Sequence, residues 1–114
     1  MITLKGINPK MIANNLEPYN PTHPGEIIKE EIEYRGISQK KLADAMNISY
    51  TLLNEVLNGK RLLNTELALL IETALDIPAE PLLQMQAHYN MLIAKHDIGF
   101  IEKLKKVNKV ASML

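Results

Sequence analysis

Two short helical segments separated by a single asparagine constrain this chain more than any other feature. They run from Ser38 to Arg61 and read SQKKLADAMNISYTLLNEVLNGKR. Ser38 and Ser49 precede the two segments, where a hydroxyl oxygen accepts a hydrogen bond from a free helix N–H group. Asn47 separates them, and asparagine tolerates the left-handed backbone that a sharp corner requires. The pattern therefore predicts a tight helical hairpin and not one continuous helix.

The rest of the central chain repeats this pattern of capped, amphipathic helices. One helix is predicted to be capped by Thr22 and to end at Gly36, another begins after Asn64 or Thr65, and a third begins near Ala79. Helical spacing of apolar residues assigns the inward positions of these helices: Ile27, Ile28, Ile32, Leu67, Leu70, Ile71, Ala74, Leu75, Leu82, Met85, Tyr89, Leu92 and Ile93. No strand-like alternation appears in this part of the sequence. We therefore predict an all-α, five-helix domain.

The two ends of the chain differ from the helical centre, which gives three predicted regions. Residues 1–21 carry three prolines and four asparagines, so no long element is expected there. We predict an N-terminal arm over residues 1–21, a helix-turn-helix domain over 22–96, and a basic amphipathic C-terminal helix or tail over 97–114. The arm has enough apolar residues either to pack on its own domain or to fold onto a partner, and both alternatives stay open.

Composition narrows the class of protein. The 114 residues include no cysteine, which excludes disulfides and thiolate metal sites. No apolar run reaches the roughly 18 residues that span a bilayer, and the start lacks a signal-peptide segment, so we expect a soluble cytoplasmic protein with no membrane partner. His23, His88 and His96 lack metal-site spacing, and no acid–base pair stands out. We therefore predict no enzyme activity, no metal and no cofactor.

Charge is balanced overall and uneven locally. Thirteen basic and thirteen acidic residues give no net charge, which argues against indiscriminate binding to polyanions. Acidic residues outnumber basic ones over residues 22–96, yet Lys40, Lys41, Lys60 and Arg61 flank the asparagine corner. The corner is therefore predicted to have a basic rim on an otherwise acidic domain.

The corner also has the parts of a DNA-binding helix-turn-helix. Such a motif needs a bracing first helix and a second, recognition helix whose early residues reach base edges in the major groove. Ala43 permits close approach of the two helices, and the outward positions of the second helix are Ser49, Tyr50, Thr51, Asn54 and Glu55. Serine, threonine and asparagine side chains hydrogen-bond base edges or phosphates. The alternative is a helical hairpin with an asparagine corner and no DNA-binding role.

Four motifs give the chain a resemblance to a known family. They are Thr22–Glu26 (THPGE), Ser38–Ala43 (SQKKLA), Leu57–Arg61 (LNGKR) and Leu83–Asn90 (LQMQAHYN). On these motifs, residues 22–94 resemble the HigA-type antitoxins of toxin–antitoxin modules, within the lambda-repressor-like helix-turn-helix superfamily. The resemblance implies a homodimer that represses its own operon by binding operator DNA. It also implies that the protein neutralises a RelE-like ribonuclease toxin of the HigB type.

The same resemblance implies a set of DNA contacts and shows two departures from the family pattern. The matching positions are Gln39 at the phosphate-contacting start of the bracing helix, Ser49, Tyr50, Thr51 and Asn54 on the base-reading face, and Lys60 and Arg61 in the backbone clamp. Tyr50 and Glu55 stand where many relatives carry arginine or another polar donor, and Leu62-Leu63 stand where proline is common. An acid at position 55 removes one phosphate contact and repels another, unless Glu55 accepts a hydrogen bond from a cytosine amino group. We therefore expect modest DNA affinity from a monomer and the remaining affinity from a dimer or a toxin complex.

Two rival functions and two partner surfaces follow from these features. The rivals are a stand-alone transcriptional regulator without a toxin, and a toxin-neutralising module that has lost DNA binding through Glu55. A second apolar stripe on the fifth helix, Leu83, Ala87 and Met91, predicts a two-fold dimer. In the arm, the alternation of Ile2-Thr3-Leu4 predicts a short strand added to the edge of a toxin's sheet.

Overall fold

Six α-helices and no strand are found in the computed structural model, which describes residues 21–111. In chain order they are α1 (Pro24–Arg35), α2 (Gln39–Met46), α3 (Tyr50–Leu57), α4 (Thr65–Leu75), α5 (Ala79–Lys95) and α6 (Ile98–Lys105). The predicted all-α class is confirmed. Five helices match the predicted domain, and the sixth makes part of the predicted C-terminal tail a short helix. The predicted arm lies outside the described residues, except for Pro21.

Side-chain caps fix the ends of α2 and α3 as the sequence predicted. The Ser38 hydroxyl accepts from the Lys41 N–H group at 3.1 Å, and the Ser49 hydroxyl accepts from the Leu52 N–H group at 3.1 Å. Asn47 ends α2 in the left-handed conformation, with φ of 60°. Each cap satisfies a backbone group that the helix itself leaves free.

The cap of α1 differs from the prediction. His23, and not Thr22, precedes the helix, and its Nδ1 atom accepts a hydrogen bond from the Gly25 N–H group at 2.9 Å. Pro24 occupies the first helical position and has no N–H group, which is tolerated there. Gly25 therefore carries the first free donor of the helix, and His23 is the residue placed to receive it. The prediction set the cap one residue too early.

Helices α1, α2, α3, α4 and α5 together enclose the hydrophobic core. Its buried residues include Ile28, Ile32, Leu42, Ala43, Met46, Leu53, Val56, Leu57, Leu63, Leu67, Ala68, Ile71, Leu75, Ala79 and Leu82. Two predicted inward positions of α4 are wrong, because Leu70 and Ala74 are exposed while Ala68 is fully buried. The inner face of α4 is thus rotated toward Ala68, whose small side chain lets a neighbouring helix approach closely.

The long helix α5 connects the core to α6. Leu82 and Leu92 are buried as predicted, Met85 and Tyr89 are half-buried, and Ile93 is exposed. α6 packs on α5 but buries none of its own residues. None of the helices in residues 21–111 is long and apolar enough to cross a membrane.

Candidate nucleic-acid interface

The corner between α2 and α3 is held by backbone hydrogen bonds and close packing. The Ile48 N–H group donates to the Ala43 carbonyl at 3.0 Å, and the Asn47 N–H group donates to the Asp44 carbonyl at 3.1 Å. Ala43 is 1% exposed, so its single methyl group is packed between the helices. These contacts fix the direction of α3 relative to α2, which is what a recognition helix requires.

The first turn of α3 places three of the predicted contact residues in solvent. Ser49, Tyr50 and Thr51 are all exposed, and Tyr50 shows 51% of its surface. The Ser49 hydroxyl oxygen is occupied by its capping bond to Leu52. A serine hydroxyl still has its own proton to donate, so this side chain caps α3 and remains able to donate to an external acceptor.

Asn54 links the recognition helix to the start of α2. Its Nδ2 atom donates to the Gln39 Oε1 atom at 2.8 Å, and both side chains are half-buried. The bond leaves the side-chain N–H groups of Gln39 and the side-chain oxygen Oδ1 of Asn54 for other partners. Gln39 and Asn54 are fifteen positions apart, and the family resemblance implies phosphate contact for the first and base reading for the second. The structure joins them in one polar unit.

Lys60 and Arg61 lie in the loop after α3, and Glu55 contacts this loop. The Lys60 N–H group donates to the Glu55 carbonyl at 2.8 Å, so the loop turns back onto the end of the helix. The Arg61 guanidinium contacts Glu55 Oε1 through Nε at 2.9 Å and through Nη2 at 2.8 Å. Lys60 is exposed. Glu55 is thus an ion-paired acid, whereas the sequence alone presented it as an isolated charge opposed to phosphates.

Gln86 on α5 holds the other end of this loop. Its Oε1 atom accepts from the Leu63 N–H group at 2.8 Å, and its Nε2 atom donates to Asn90 Oδ1 at 2.9 Å. Leu63 is 2% exposed and Gln86 is 5% exposed, so the bond satisfies a donor that water does not reach. Sequence reasoning missed this residue. Its signal was a polar side chain four residues after Leu82, on the inward side of α5.

His23 packs against the start of this loop, at Gly59. A Cβ atom at Gly59, which has φ of 74°, would lie 3.7 Å from the His23 ring. The same ring meets Tyr89 of α5 edge to face, with ring centroids 4.9 Å apart. His23 therefore contacts the start of α1, the loop and α5 at the same time.

The His23 ring is neutral in this position. Nδ1 accepts a hydrogen bond from Gly25, so it carries no proton. Burial is the main cause that lowers the pKa of His23, and the Arg61 backbone and the Glu26 carboxylate offset part of that effect. Nε2 makes no hydrogen bond within the described residues.

The predicted basic rim is only partly free. Lys41 is exposed. The Lys40 Nζ atom lies 3.9 Å from Asp44 Oδ2, and both side chains of this pair are exposed. Exposed pairs of this kind contribute little and leave the ammonium available to another anion. Within residues 21–111, no group of three or more histidine, cysteine or acidic side chains is placed to hold a metal ion.

Comparison with known sequences finds one matching family and two related proteins. The family described as Helix-turn-helix matches residues 28–82. Virulence-associated protein I of Dichelobacter nodosus is 33% identical over 76 residues, which cover 66% of this chain and 70% of that protein. Virulence-associated protein A' of the same organism is 33% identical over 73 residues. The chain spans 64% of the length of that second relative.

Comparison with solved structures finds the same fold in two antitoxins and in a protein solved with its operator DNA. An addiction module antidote protein of a HigA family from Coxiella burnetii is 28% identical, with a TM-score of 0.69 over 79% of this chain and 98% of that one. Antitoxin GraA is also 28% identical, with a TM-score of 0.72 over 80% and 98%. PA4674 from Pseudomonas aeruginosa, solved with its 28-bp operator DNA, is 28% identical, with a TM-score of 0.62 over 66% and 84%.

Proposed function

Because the chain belongs to the helix-turn-helix family and has the fold of HigA-type antitoxins, we propose that it is an antitoxin that represses its own operon. In this proposal a homodimer binds operator DNA through α3 and neutralises a RelE-like toxin. The operator complex of PA4674 supports the DNA-binding part, since that protein shares the fold. The antitoxins of the same fold support the toxin-binding part.

One observation carries the DNA-binding part of the proposal. The polar unit of Gln39 and Asn54 lies beside the exposed first turn of α3, and Lys60 and Arg61 follow in the next loop. Asparagine and threonine side chains suit base edges, and lysine and arginine suit phosphates. The same elements supply both kinds of contact, as sequence-specific binding requires.

The test compares DNA from immediately upstream of the protein's own coding sequence with a random duplex of equal length. Thr51→Ala should weaken binding to the upstream DNA by about 1–3 kcal/mol if Thr51 contacts a base, and leave the random duplex unchanged. Lys60→Ala should weaken both duplexes alike and reduce the salt slope by about one. Thr73→Ala, at an exposed threonine on α4, is the matched control and should change neither.

Fluorescence anisotropy over a salt titration measures each affinity. If the wild-type protein binds neither duplex at low salt, alone or with a toxin, the repressor part of the proposal is wrong. The ion pair of Glu55 with Arg61 speaks against the rival in which Glu55 abolishes DNA binding, because the acid's charge is offset within the protein.

The proposed dimer uses the outer side of α5. Ala87 and Met91 are exposed there, and Met91 shows 57% of its surface, while Leu83 also packs against the core. A two-fold interface places the same patch of both subunits in contact. Two recognition helices of such a dimer should lie about 34 Å apart, one turn of duplex.

The toxin-binding part rests on the arm, whose proposed strand lies outside the described residues. We propose that the arm orders on the toxin, since its apolar residues need a partner surface. Deleting residues 1–18 should then abolish co-purification with the small basic protein encoded by the adjacent gene, and leave unfolding of the domain unchanged. Unchanged co-purification with a destabilised domain would assign the arm to its own fold. If no adjacent gene encodes a binding partner, the stand-alone regulator is the better description.

A further inference from the structure

The ion pair between Glu55 and Arg61 connects the recognition helix to the loop that follows it. Glu55 lies in the second turn of α3, and Arg61 lies six positions further along the chain. Both N–H contacts of the guanidinium, from Nε and Nη2, converge on one carboxylate oxygen, Oε1. Because the Lys60 N–H group also donates to the Glu55 carbonyl, the backbone and the side chain hold the loop together.

The pair changes what Arg61 offers to DNA. A guanidinium has five N–H groups and never loses its charge. The Nε group donates to Glu55 Oε1, and Nη2 lies 2.8 Å from the same oxygen. The side chain remains 55% exposed, so donors are left for a phosphate. At a distance, however, the pair has no net charge. Arg61 therefore contributes a directional contact at close range without the long-range attraction of a free cation.

We infer that Glu55 is a specificity-determining residue that acts through Arg61 by suppressing binding to non-operator DNA. Non-specific complexes depend almost entirely on charge and on the release of counterions from phosphates. Cancelling the charge of Arg61 weakens those complexes. In an operator complex the recognition helix is seated in the groove, so Arg61 reaches its phosphate with Glu55 still attached. The inference rests on the proposed function, because it assumes that α3 reads DNA.

The expected size of the effect follows from counterion release. Glu55→Gln removes the acid, keeps the side-chain length, and frees Arg61 to neutralise one more phosphate on any sequence. One added phosphate contact steepens the salt dependence by about 0.9, which raises non-specific affinity about five-fold at 0.15 M salt. Operator affinity should rise less than about two-fold, since Arg61 already makes its contact there. The ratio of specific to non-specific affinity should therefore fall at least about two-fold.

The experiment titrates wild type, Glu55→Gln, Arg61→Gln and the double variant against two duplexes at several salt concentrations. The duplexes are the protein's own upstream fragment and a random sequence of equal length, and circular dichroism establishes that each variant is folded. Glu66→Gln is the matched control, because Glu66 lines the same surface groove as Arg61 but forms no ion pair in the described part of the chain. Glu66→Gln should raise non-specific affinity less than about two-fold, because it removes one negative charge without freeing an arginine.

The outcomes separate this inference from the proposed function. In the Arg61→Gln background, Glu55→Gln should give only the small change that Glu66→Gln gives. An equal effect of Glu55→Gln and Glu66→Gln, or a five-fold effect that persists without Arg61, would overturn the inference while leaving operator binding intact. A wild-type protein with no preference for its upstream fragment at any salt concentration would instead overturn both.

Discussion

Gly25 is predicted to be the least replaceable small residue of the domain. It lies in the first turn of α1, where that helix crosses the end of α3. A methyl group added at Gly25 would overlap the Val56 carbonyl oxygen, and it would lie 2.9 Å from the Val56 carbonyl carbon and 3.0 Å from Leu57 Cα. Unstrained carbon–carbon contacts are about 3.5–4.0 Å. All of these atoms are backbone, so no rotamer change relieves the overlap.

Gly25→Ala therefore has to push α1 and α3 apart by roughly 1 Å or more, since the overlap with the Val56 oxygen is the largest. Overpacking of this kind costs about 1–3 kcal/mol, and the upper end applies because backbone meets backbone. The hydrogen bond from the Gly25 N–H group to His23 would be strained by the same movement. For a domain of this size each kcal/mol lowers the melting temperature by roughly 4–8 °C. We expect Gly25→Ala to melt about 12 °C or more below wild type.

Gly99→Ala is the matched control, since it adds the same methyl group to another helical glycine. At Gly99 the nearest atom to the new Cβ is Asp97 Oδ1 at 3.4 Å, an ordinary contact. Alanine favours the helix, so this variant should be as stable as wild type or up to about 1 kcal/mol more stable. Urea unfolding followed by circular dichroism measures both variants. A Gly25→Ala protein within about 1 kcal/mol of wild type would refute the need for close approach between α1 and α3.

Three further predictions concern the supports of the loop and the dimer. The pKa of His23 is lowered from 6.5, so its contribution to stability should be present above about pH 6.5 and lost as the pH falls through the folded-state pKa. His23→Asn still caps α1 and should flatten that part of the pH profile of the free energy of unfolding. Gln86→Leu leaves the buried Leu63 N–H group without an acceptor, so it should lower the free energy of unfolding by about 1–3 kcal/mol in urea titrations, and a loss below about 0.5 kcal/mol would contradict the anchoring role. Met91→Lys should convert the proposed dimer to monomer in sedimentation equilibrium without lowering the melting temperature of the monomer, because Met91 is exposed.

The parts of the fold that the sequence predicted are those fixed by neighbouring residues. Ser38 and Ser49 cap the helices that follow them, and Asn47 takes the left-handed corner. Each of these interactions spans three or four residues, so the local sequence is sufficient to specify it. The same argument explains the error at α1. The position of Pro24 decides which residue accepts from the first free N–H group, and that residue is His23. Threonine is the commoner capping residue, which is why the sequence favoured Thr22.

The parts that the sequence could not predict depend on how elements meet. Helical spacing placed Leu70 and Ala74 on one side of α4 with Leu67, but spacing does not fix how far a helix is rotated toward its neighbour. The full burial of Ala68 shows that this side of α4 faces the core. The bond from Asn54 to Gln39 follows from the crossing of α2 and α3, and its two residues gave no sign of the pairing in sequence.

The loop that carries Lys60 and Arg61 shows how closely the proposed DNA-binding face depends on the core. His23 lies beside Gly59 at its start, Glu55 contacts Lys60 and Arg61, and the Gln86 side chain accepts from the Leu63 N–H group near its end. The contact with Glu55 is local, whereas His23 and Gln86 are distant in sequence, so the loop reaches this geometry only when α1 and α5 have packed against α3. A change that loosens the core is therefore expected to weaken phosphate contact before it unfolds the domain, because a displaced loop loses its directed contacts while α3 remains helical. DNA affinity should for this reason fall in Gln86→Leu at temperatures well below its melting transition.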